Sequence, residues 1–168
     1  MSDENPGETA ASPSRNPVFR SLALDEMPRP DYADVIVVPC PRPATTDPRV
    51  WAETLFSLHS TPGWVRTLMA IRQGLVGLLG IPRAPVDVFA VARVEGEEAL
   101  IAADDKHLDF RCGVAFDAGT RLLRLTTTVQ LKGWRGRIYF APVRVVHPLV
   151  VRSMMLRAVT ILRETDTG

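Results

Sequence analysis

The chain has 168 residues, of which 46% are hydrophobic and 23% are charged, and its formal net charge is +1. These values are typical of one soluble globular domain that is large enough to form a hydrophobic core. So small a net charge provides no field that would attract nucleic acid or an acidic membrane, and we expect neither as a partner. Cys40 and Cys112 lack the spacing of a metal site or a redox motif, so we expect no metal and no cofactor.

The first 30 residues are polar and rich in proline, serine and glutamate. This composition predicts a disordered tail over residues 1–30, followed by a single domain over residues 31–164. The tail lacks the apolar core of a signal peptide, and we therefore expect a cytoplasmic protein. A late apolar patch that includes Phe19 and Leu22 is a candidate for docking on the domain.

The region after the tail predicts one strand and two helices. A run of β-favouring side chains over residues 32–38 ends at Pro39 and predicts the first strand. Two helix starts of the same construction follow, in which a capping side chain precedes a proline: Asp47-Pro48 and Thr61-Pro62. The apolar stripes behind these starts predict two helices, over residues 48–58 and 62–79.

From residue 86 onward the hydrophobic period changes to two, which predicts antiparallel strands joined by short turns. We expect five strands here, over residues 86–94, 98–103, 107–116, 121–131 and 134–141. His147-Pro148 then begins a long amphipathic helix that ends near residue 163. The order β-α-α-β-β-β-β-β-α indicates an α+β fold, and a curved antiparallel sheet of about six strands around one C-terminal helix is the helix-grip arrangement.

The chain from residue 138 to residue 162 is mostly apolar, which raises the question of a membrane span. Charged side chains interrupt this segment, and Pro142 and Pro148 divide it. A segment broken in this way is a poor transmembrane helix, so we do not expect it to cross a bilayer.

The third of the five strands separates its side chains by chemistry: apolar residues point to one face, and His107, Asp109 and Arg111 point to the other. The turns that follow predict a register in which Arg111 lies opposite Thr126 and Asp109 lies opposite Thr128. Three strands then share one polar face, which holds His107, Asp109, Arg111, Thr126, Thr128, Gln130, Arg135, Arg137 and Tyr139.

This polar face has four interpretations. It is a solvated surface with ordinary ion pairs, or an interface in a homodimer. It lines a cleft in which His107 and Asp109 act as an acid/base pair while Arg111 holds an anionic substrate. Metal binding through Asp105, His107 and Asp109 is disfavoured, because the Arg111 guanidinium is a competing cation beside them.

Seven segments of the chain carry a family resemblance: DVIVVP at residues 34–39, WA at 51–52, PGWVR at 62–66, DDKHLDFR at 104–111, TTT at 126–128, GRIYF at 136–140 and HPLVVR at 147–152. Together they resemble a bacterial family of unknown function, whose members occur alone or behind an NAD(P)-binding Rossmann domain. That family is grouped with the START, polyketide-cyclase and other helix-grip (SRPBCC) proteins. The resemblance covers residues 31–164 and implies no catalytic residues.

Three functions follow as hypotheses. The fold resemblance and the apolar sheet face imply a binding domain for an apolar or amphipathic small molecule, with Phe110, Trp134, Phe140 and Met154 as candidate contacts. An enzyme of cyclase, dehydratase or hydrolase type that uses His107 and Asp109 is the alternative, and the sequence leaves open whether the protein is an enzyme. The family's fusions imply a third function, as a partner or regulatory module for a Rossmann-type oxidoreductase.

Overall fold

The computed structural model of the chain describes residues 19–41, 45–67 and 89–165. Eight elements are defined in these residues: α1 Leu22–Glu26, β1 Tyr32–Pro39, α2 Pro48–Phe56, β2 Val91–Glu95, β3 Glu98–Asp104, β4 Leu108–Asp117, β5 Leu122–Leu131 and α3 Gly133–Thr165. Residues 63–67 are also helical. The remainder of the helix predicted over residues 62–79, and the first residues of the strand predicted over residues 86–94, lie outside the described residues.

The five strands form one antiparallel sheet in the order β1-β5-β4-β3-β2, so the α+β prediction is confirmed. The inner face of this sheet is apolar and is covered by α2 and by the C-terminal half of α3. The largest side chains of the resulting core are buried almost completely: Trp51, Phe116, Leu55, Ile101, Leu123, Leu125 and Met155. The apolar side of β4 therefore faces the core that α2 and the C-terminal helix cover.

The structure contains the helix start and the turn that short stretches of the sequence predict. The Asp47 carboxylate accepts a hydrogen bond from the Arg49 N–H at 2.8 Å, and Pro48 occupies the first turn of α2. The turn between β2 and β3 places Gly96 at φ +58°, a backbone angle that glycine adopts without strain.

The strand predicted over residues 134–141 is wrong, because α3 begins at Gly133 and includes these residues. The start predicted at His147-Pro148 is therefore also wrong, and Pro142 and Pro148 lie inside the helix. A close contact favours the helix here: Gly136 packs against His107, the residue before β4, so tightly that an added Cβ would collide with its main-chain oxygen. The described sheet has five strands instead of about six, and the helix-grip assignment stays a prediction.

The predicted pairing of β4 with β5 is wrong by two residues. Arg111 lies opposite Thr128 instead of Thr126, and Asp109 lies opposite Gln130 instead of Thr128. A shift of two residues leaves every side chain on its own face, so these side chains still share the outer face of the sheet.

The cause of the shift is the loop between β4 and β5. Asp117 pairs with Leu122, so the loop holds residues 118–121, whereas the predicted turn is at residues 117–120. The Asp117 carboxylate accepts hydrogen bonds from the N–H groups of Gly119 and Thr120 at 2.8 and 2.9 Å. Arg121 then takes a left-handed conformation at φ 55°, which closes the loop.

Part of the predicted tail packs on the outer face of the sheet. Residues 22–26 form α1, and Leu22 and Ala23 are buried beside Leu100. The prediction of a disordered tail does not hold for these residues, because their apolar side chains find a partner surface on β3. Residues 1–18 lie outside the described residues.

Candidate functional site

The charged side chains on the outer face pair with one another. Arg111 donates to Asp104 Oδ1 at 2.6 Å and to Glu26 Oε2 at 2.8 Å, and Lys132 pairs with Asp109. The hydrogen bond from Arg111 lowers the pKa of Asp104 although partial burial opposes this effect. Arg111 is therefore held by two carboxylates of the protein itself, which compete with any anionic substrate.

The structure does not bring His107 and Asp109 together as a hydrogen-bonded pair within the described residues. His107 precedes β4, and its main-chain oxygen accepts from the Lys132 N–H at 2.7 Å. The Asp109 carboxylate bonds to Lys132. The described part of the chain also contains no group of three His, Cys, Asp or Glu side chains that could hold a metal ion.

A buried carboxylate attaches α1 to the sheet. Glu98 accepts hydrogen bonds from Ser21 Oγ at 2.5 Å and from the Leu22 N–H at 3.2 Å, and Arg124 lies 3.6 Å away as its counter-ion. Two surface cavities, of about 270 and 430 Å³, flank α1 beside Arg111 and Arg124 respectively. Arg111 and Arg124 already have protein carboxylates as partners, although Arg124 Nε itself is buried without a hydrogen bond to the described residues.

A second polar cluster, which we call the inner cluster, consists of Tyr32, Asp34 and His147 and lies where β1 meets α3. Asp34 Oδ2 accepts from the Tyr32 hydroxyl at 2.6 Å and from His147 Nδ1 at 2.9 Å. The Tyr32 ring contacts Phe140 edge to face, with 5.1 Å between the ring centroids. The Asp34 and His147 side chains keep 15% and 17% of their exposure, so the cluster lies at an accessible edge of the core.

Strand alternation explains why Asp34 points inward. Tyr32, Asp34 and Val38 share one parity along β1, and Val38 is fully buried in the core. Asp34 lies opposite Thr127 of β5, and Thr127 lies opposite Cys112 of β4. A polar row of an acid, a hydroxyl and a thiol therefore crosses an otherwise apolar face.

The inner cluster holds a charged carboxylate without a fixed cation. Burial would raise the pKa of Asp34, but the hydrogen bonds from His147 and Tyr32 outweigh burial and lower it. No lysine or arginine of the described residues pairs with Asp34. Asp34 Oδ1 and the neighbouring Thr127 Oγ1 are buried and have no well-formed hydrogen bond in the described residues, although the Thr127 hydroxyl interacts with the Asp34 carboxylate and helps to lower its pKa. Burial raises the pKa of Cys112, which keeps this thiol neutral.

The four residues predicted to contact a ligand lie in different environments in the structure. Phe140 is buried beside the inner cluster. Phe110 and Met154 belong to the core. Trp134 is 64% exposed on the outward side of α3, because the strand that would have turned it toward the sheet does not form.

Asp34 and His147 were not among the predicted site residues. His147 precedes a proline, a pattern that predicts the start of a helix and not a position in the middle of α3. One signal in the sequence pointed to Asp34: it has the parity of the inward residues of its strand, where an acid is unusual. Thr127 carries the same signal on β5.

Fold and site together define an α+β domain in which a half-buried Asp–His–Tyr cluster lies between an edge strand and a long C-terminal helix. Residues 27–154 match the family described as "Protein of unknown function (DUF2867)". Because the match spans most of the chain, the protein belongs to the DUF2867 family. The chain has no match among curated proteins or solved structures. The grouping with START-like proteins and the association with a Rossmann domain stay predictions.

Proposed function

We propose that this domain binds an amphipathic amine at the edge between β1 and α3. The observation that carries the proposal is the Asp34 carboxylate: its buried Oδ1 has no well-formed hydrogen bond in the described residues, the Thr127 hydroxyl beside it is a neutral partner, and no lysine or arginine of the described residues pairs with it. An unpaired buried charge is costly, and a cationic donor from a ligand would offset that cost. The ligand's ammonium group would contact Asp34 and the hydroxyl of Thr127.

The surroundings of the inner cluster favour a ligand with an apolar body. Phe140 and the Tyr32 ring form an aromatic wall next to Asp34, and such walls accept both alkyl chains and cations. The centre of the sheet is less suitable, since Trp51 and Phe116 stack there with their centroids 5.6 Å apart. The ligand's body would therefore lie along the β1 edge of the inner face.

The test is a titration of the ¹⁵N-labelled chain with three probes that share one alkyl chain: decylamine, decanol and decanoate. Decylamine is expected to bind most tightly and to shift the amide signals of Asp34, Thr127 and His147. Decanoate is expected not to bind, because the Asp34 charge repels it. Asp34→Asn is expected to weaken decylamine binding at least tenfold, since a charge-assisted hydrogen bond is worth about 1.5–3 kcal/mol.

The matched control is Asp109→Asn, which removes an equivalent charge from the outer face and is expected to leave the affinity for decylamine within twofold. Equal binding of the three probes would contradict the proposal, as would a loss of affinity in Asp109→Asn but not in Asp34→Asn.

A second function, general acid/base catalysis, is favoured by the orientation of His147. Its Nδ1–H donates to Asp34, which leaves Nε2 as the proton acceptor, the arrangement that a carboxylate imposes on a catalytic histidine. The test is the hydrolysis of para-nitrophenyl acetate by the wild-type chain and by His147→Gln and His107→Gln. If His147 acts as a base, only His147→Gln lowers the rate, by at least tenfold. Equal rates in all three proteins would exclude this function for His147.

A further inference from the structure

Helix α3 has a second apolar face, which points away from the core and which we call the outward face. Its large side chains recur at steps of four and seven residues, which keeps them on one side of a helix: Trp134, Ile138, Val145, Leu149 and Leu156. Their exposed fractions range from 42% for Leu156 to 70% for Val145. Phe140, Val151 and Met155 lie on the opposite side of the same helix and are buried. Exposed apolar rows of this length mark a surface that contacts something else.

The outward face is bordered by positive charge. The helix contains six arginines and one glutamate, which are Arg135, Arg137, Arg144, Arg152, Arg157, Arg163 and Glu164. Arg137, Arg144 and Arg152 form no ion pair with the described residues, whereas the three arginines on β2, β4 and β5 all pair with carboxylates. An excess of five positive charges is thus confined to one helix of a chain whose net charge is +1.

The net charge of the whole chain predicts no attraction to an acidic membrane, but the positive charge of α3 is local. We propose that the outward face of α3 docks on the surface of an anionic phospholipid bilayer. The apolar row would enter the boundary between headgroups and acyl chains, and the arginines beside it would contact lipid phosphates. Charge complementarity selects this occupant over a second copy of the chain. A two-fold pairing would place the same face on both sides of the interface and bring the arginines of the two copies together.

The first turn of α3 fits the same interpretation. The Arg135 guanidinium lies 5.5 Å from the centroid of the Trp134 ring, and both side chains are exposed. Tryptophan is enriched at the level of lipid headgroups because its ring is amphipathic, and arginine extends from an apolar surface toward the phosphates. Trp134 is therefore a built-in reporter of contact with lipid.

Contact with the surface fits the structure better than a membrane span. Gly133–Glu164 is long and apolar enough to cross a bilayer by length and composition alone, but core helices of soluble proteins pass the same test. A span would remove Met155 and Ala158 from the core, where both are fully buried, and would break the bond between His147 and Asp34. A helix that lies in the interface keeps all of these contacts.

The test is binding of the full chain to vesicles of phosphatidylcholine, with or without about one-third phosphatidylglycerol, measured by co-sedimentation. We expect binding to the anionic vesicles, at least tenfold weaker binding to pure phosphatidylcholine, and a loss of binding as salt rises from about 0.1 M to about 0.5 M. Anionic vesicles should shift the tryptophan emission to shorter wavelength, and Trp134→Phe should remove most of that shift.

Two variants separate the apolar and the charge contributions. Val145→Glu/Leu149→Glu replaces exposed side chains, so the fold should persist, and vesicle binding should fall at least tenfold. Arg144→Gln/Arg152→Gln should weaken binding about tenfold or more. The matched control is Arg66→Gln/Arg121→Gln, which removes two exposed positive charges elsewhere and should change binding less than twofold.

The proposal is overturned if the chain does not bind anionic vesicles, if both lipid compositions bind equally, or if the charge-matched control loses as much binding as Arg144→Gln/Arg152→Gln. It is also overturned if light scattering shows a dimer that Val145→Glu/Leu149→Glu converts to a monomer while vesicle binding is unchanged. That result would assign the outward face to a second copy of the chain. The arginine pair decides the question even if the glutamate variant fails to fold.

Discussion

The two faces of the sheet each carry a cluster of ionisable side chains, and the clusters differ in what balances the charge. On the outer face, Arg111 is bonded to two carboxylates and Glu98 has Arg124 as its counter-ion. In the inner cluster, Asp34 is bonded to a phenol and an imidazole and lies beside the Thr127 hydroxyl, and no lysine or arginine of the described residues pairs with it. The outer face has more charges, but the carboxylates of its ion pairs have arginine or lysine partners, whereas the Asp34 carboxylate of the inner cluster has none in the described residues.

This difference indicates which cluster stabilises the fold and which cluster is available to bind a ligand. The ion pairs of the outer face fix the position of α1. Their removal should lower the free energy of unfolding and leave the affinity for a ligand unchanged. Removal of a carboxylate with spare hydrogen-bonding capacity should instead weaken ligand binding more than it lowers stability. Variants of the two clusters therefore test the comparison directly.

The largest effect is expected for Glu98→Ala. Glu98 is 7% exposed and accepts from both Ser21 and Leu22, so its loss leaves buried donors and the Arg124 charge without a partner. We expect the free energy of unfolding to fall by about 2–4 kcal/mol, measured by urea denaturation. Its exposed neighbour supplies the control, since Glu97→Ala should change stability by less than about 0.5 kcal/mol. Similar losses in the two variants would show that Glu98 does not anchor α1.

The second effect concerns the contact that positions α3. Gly136→Ala places a methyl group against the main-chain oxygen of His107, so the helix has to move away from β4. We expect a loss of about 1–3 kcal/mol in the free energy of unfolding. Decylamine should also bind more weakly, because the same helix carries His147 to Asp34.

Gly63 is the control for this substitution. It also lies in a helical segment, but a Cβ added there meets nothing within 4 Å. Gly63→Ala should therefore stabilise the chain by up to about 1 kcal/mol, through helix propensity and reduced freedom of the unfolded chain. If both alanine variants are stabilised, α3 does not depend on the Gly136 contact.

The elements that the sequence predicted well depend on local signals. Alternation and turns predicted β3, β4 and β5 to within a residue or two, and Asp47-Pro48 marked the start of α2. The segment after Gly133 was predicted as a strand, since Trp134, Gly136, Ile138 and Phe140 alternate with polar residues. The same residues also fit a helix, and the helix is favoured by the distant contacts of Gly136 with His107 and of Phe140 with Tyr32.

The inner cluster was missed for a related reason. Asp34 and His147 are 113 positions apart, and only the path of α3 across β1 brings them together. Periodicity describes which face a side chain occupies but not which distant side chain it meets. The outer-face residues were easier to find because His107, Asp109 and Arg111 are neighbours in one strand. Proximity in sequence therefore indicates the outer-face cluster, whose charges are already paired.

The third prediction concerns pH and the inner cluster. The folded state lowers the pKa of Asp34, so the carboxylate contributes stability that is complete above its ordinary pKa of about 4. That contribution is lost as the pH falls below about 4 and through the lower pKa of the folded state. The stability difference between the wild type and Asp34→Asn, measured in urea from about pH 2.5 to pH 6, should therefore shrink toward acid pH. A difference that is constant across this range would contradict the assignment.

The smallest effect is expected for Arg111→Gln, although Arg111 makes the most conspicuous ion pairs of the outer face. Its partners Asp104 and Glu26 keep 60% and 30% of their side-chain exposure, so water solvates both carboxylates once the guanidinium is gone. Arg111 itself is only 17% exposed, but ion pairs with solvated carboxylates contribute little, about 0–1 kcal/mol, and are screened by salt. We therefore expect the free energy of unfolding to fall by less than about 1 kcal/mol, with unchanged decylamine affinity. A tenfold loss of that affinity would reverse the comparison and place the binding site on the outer face.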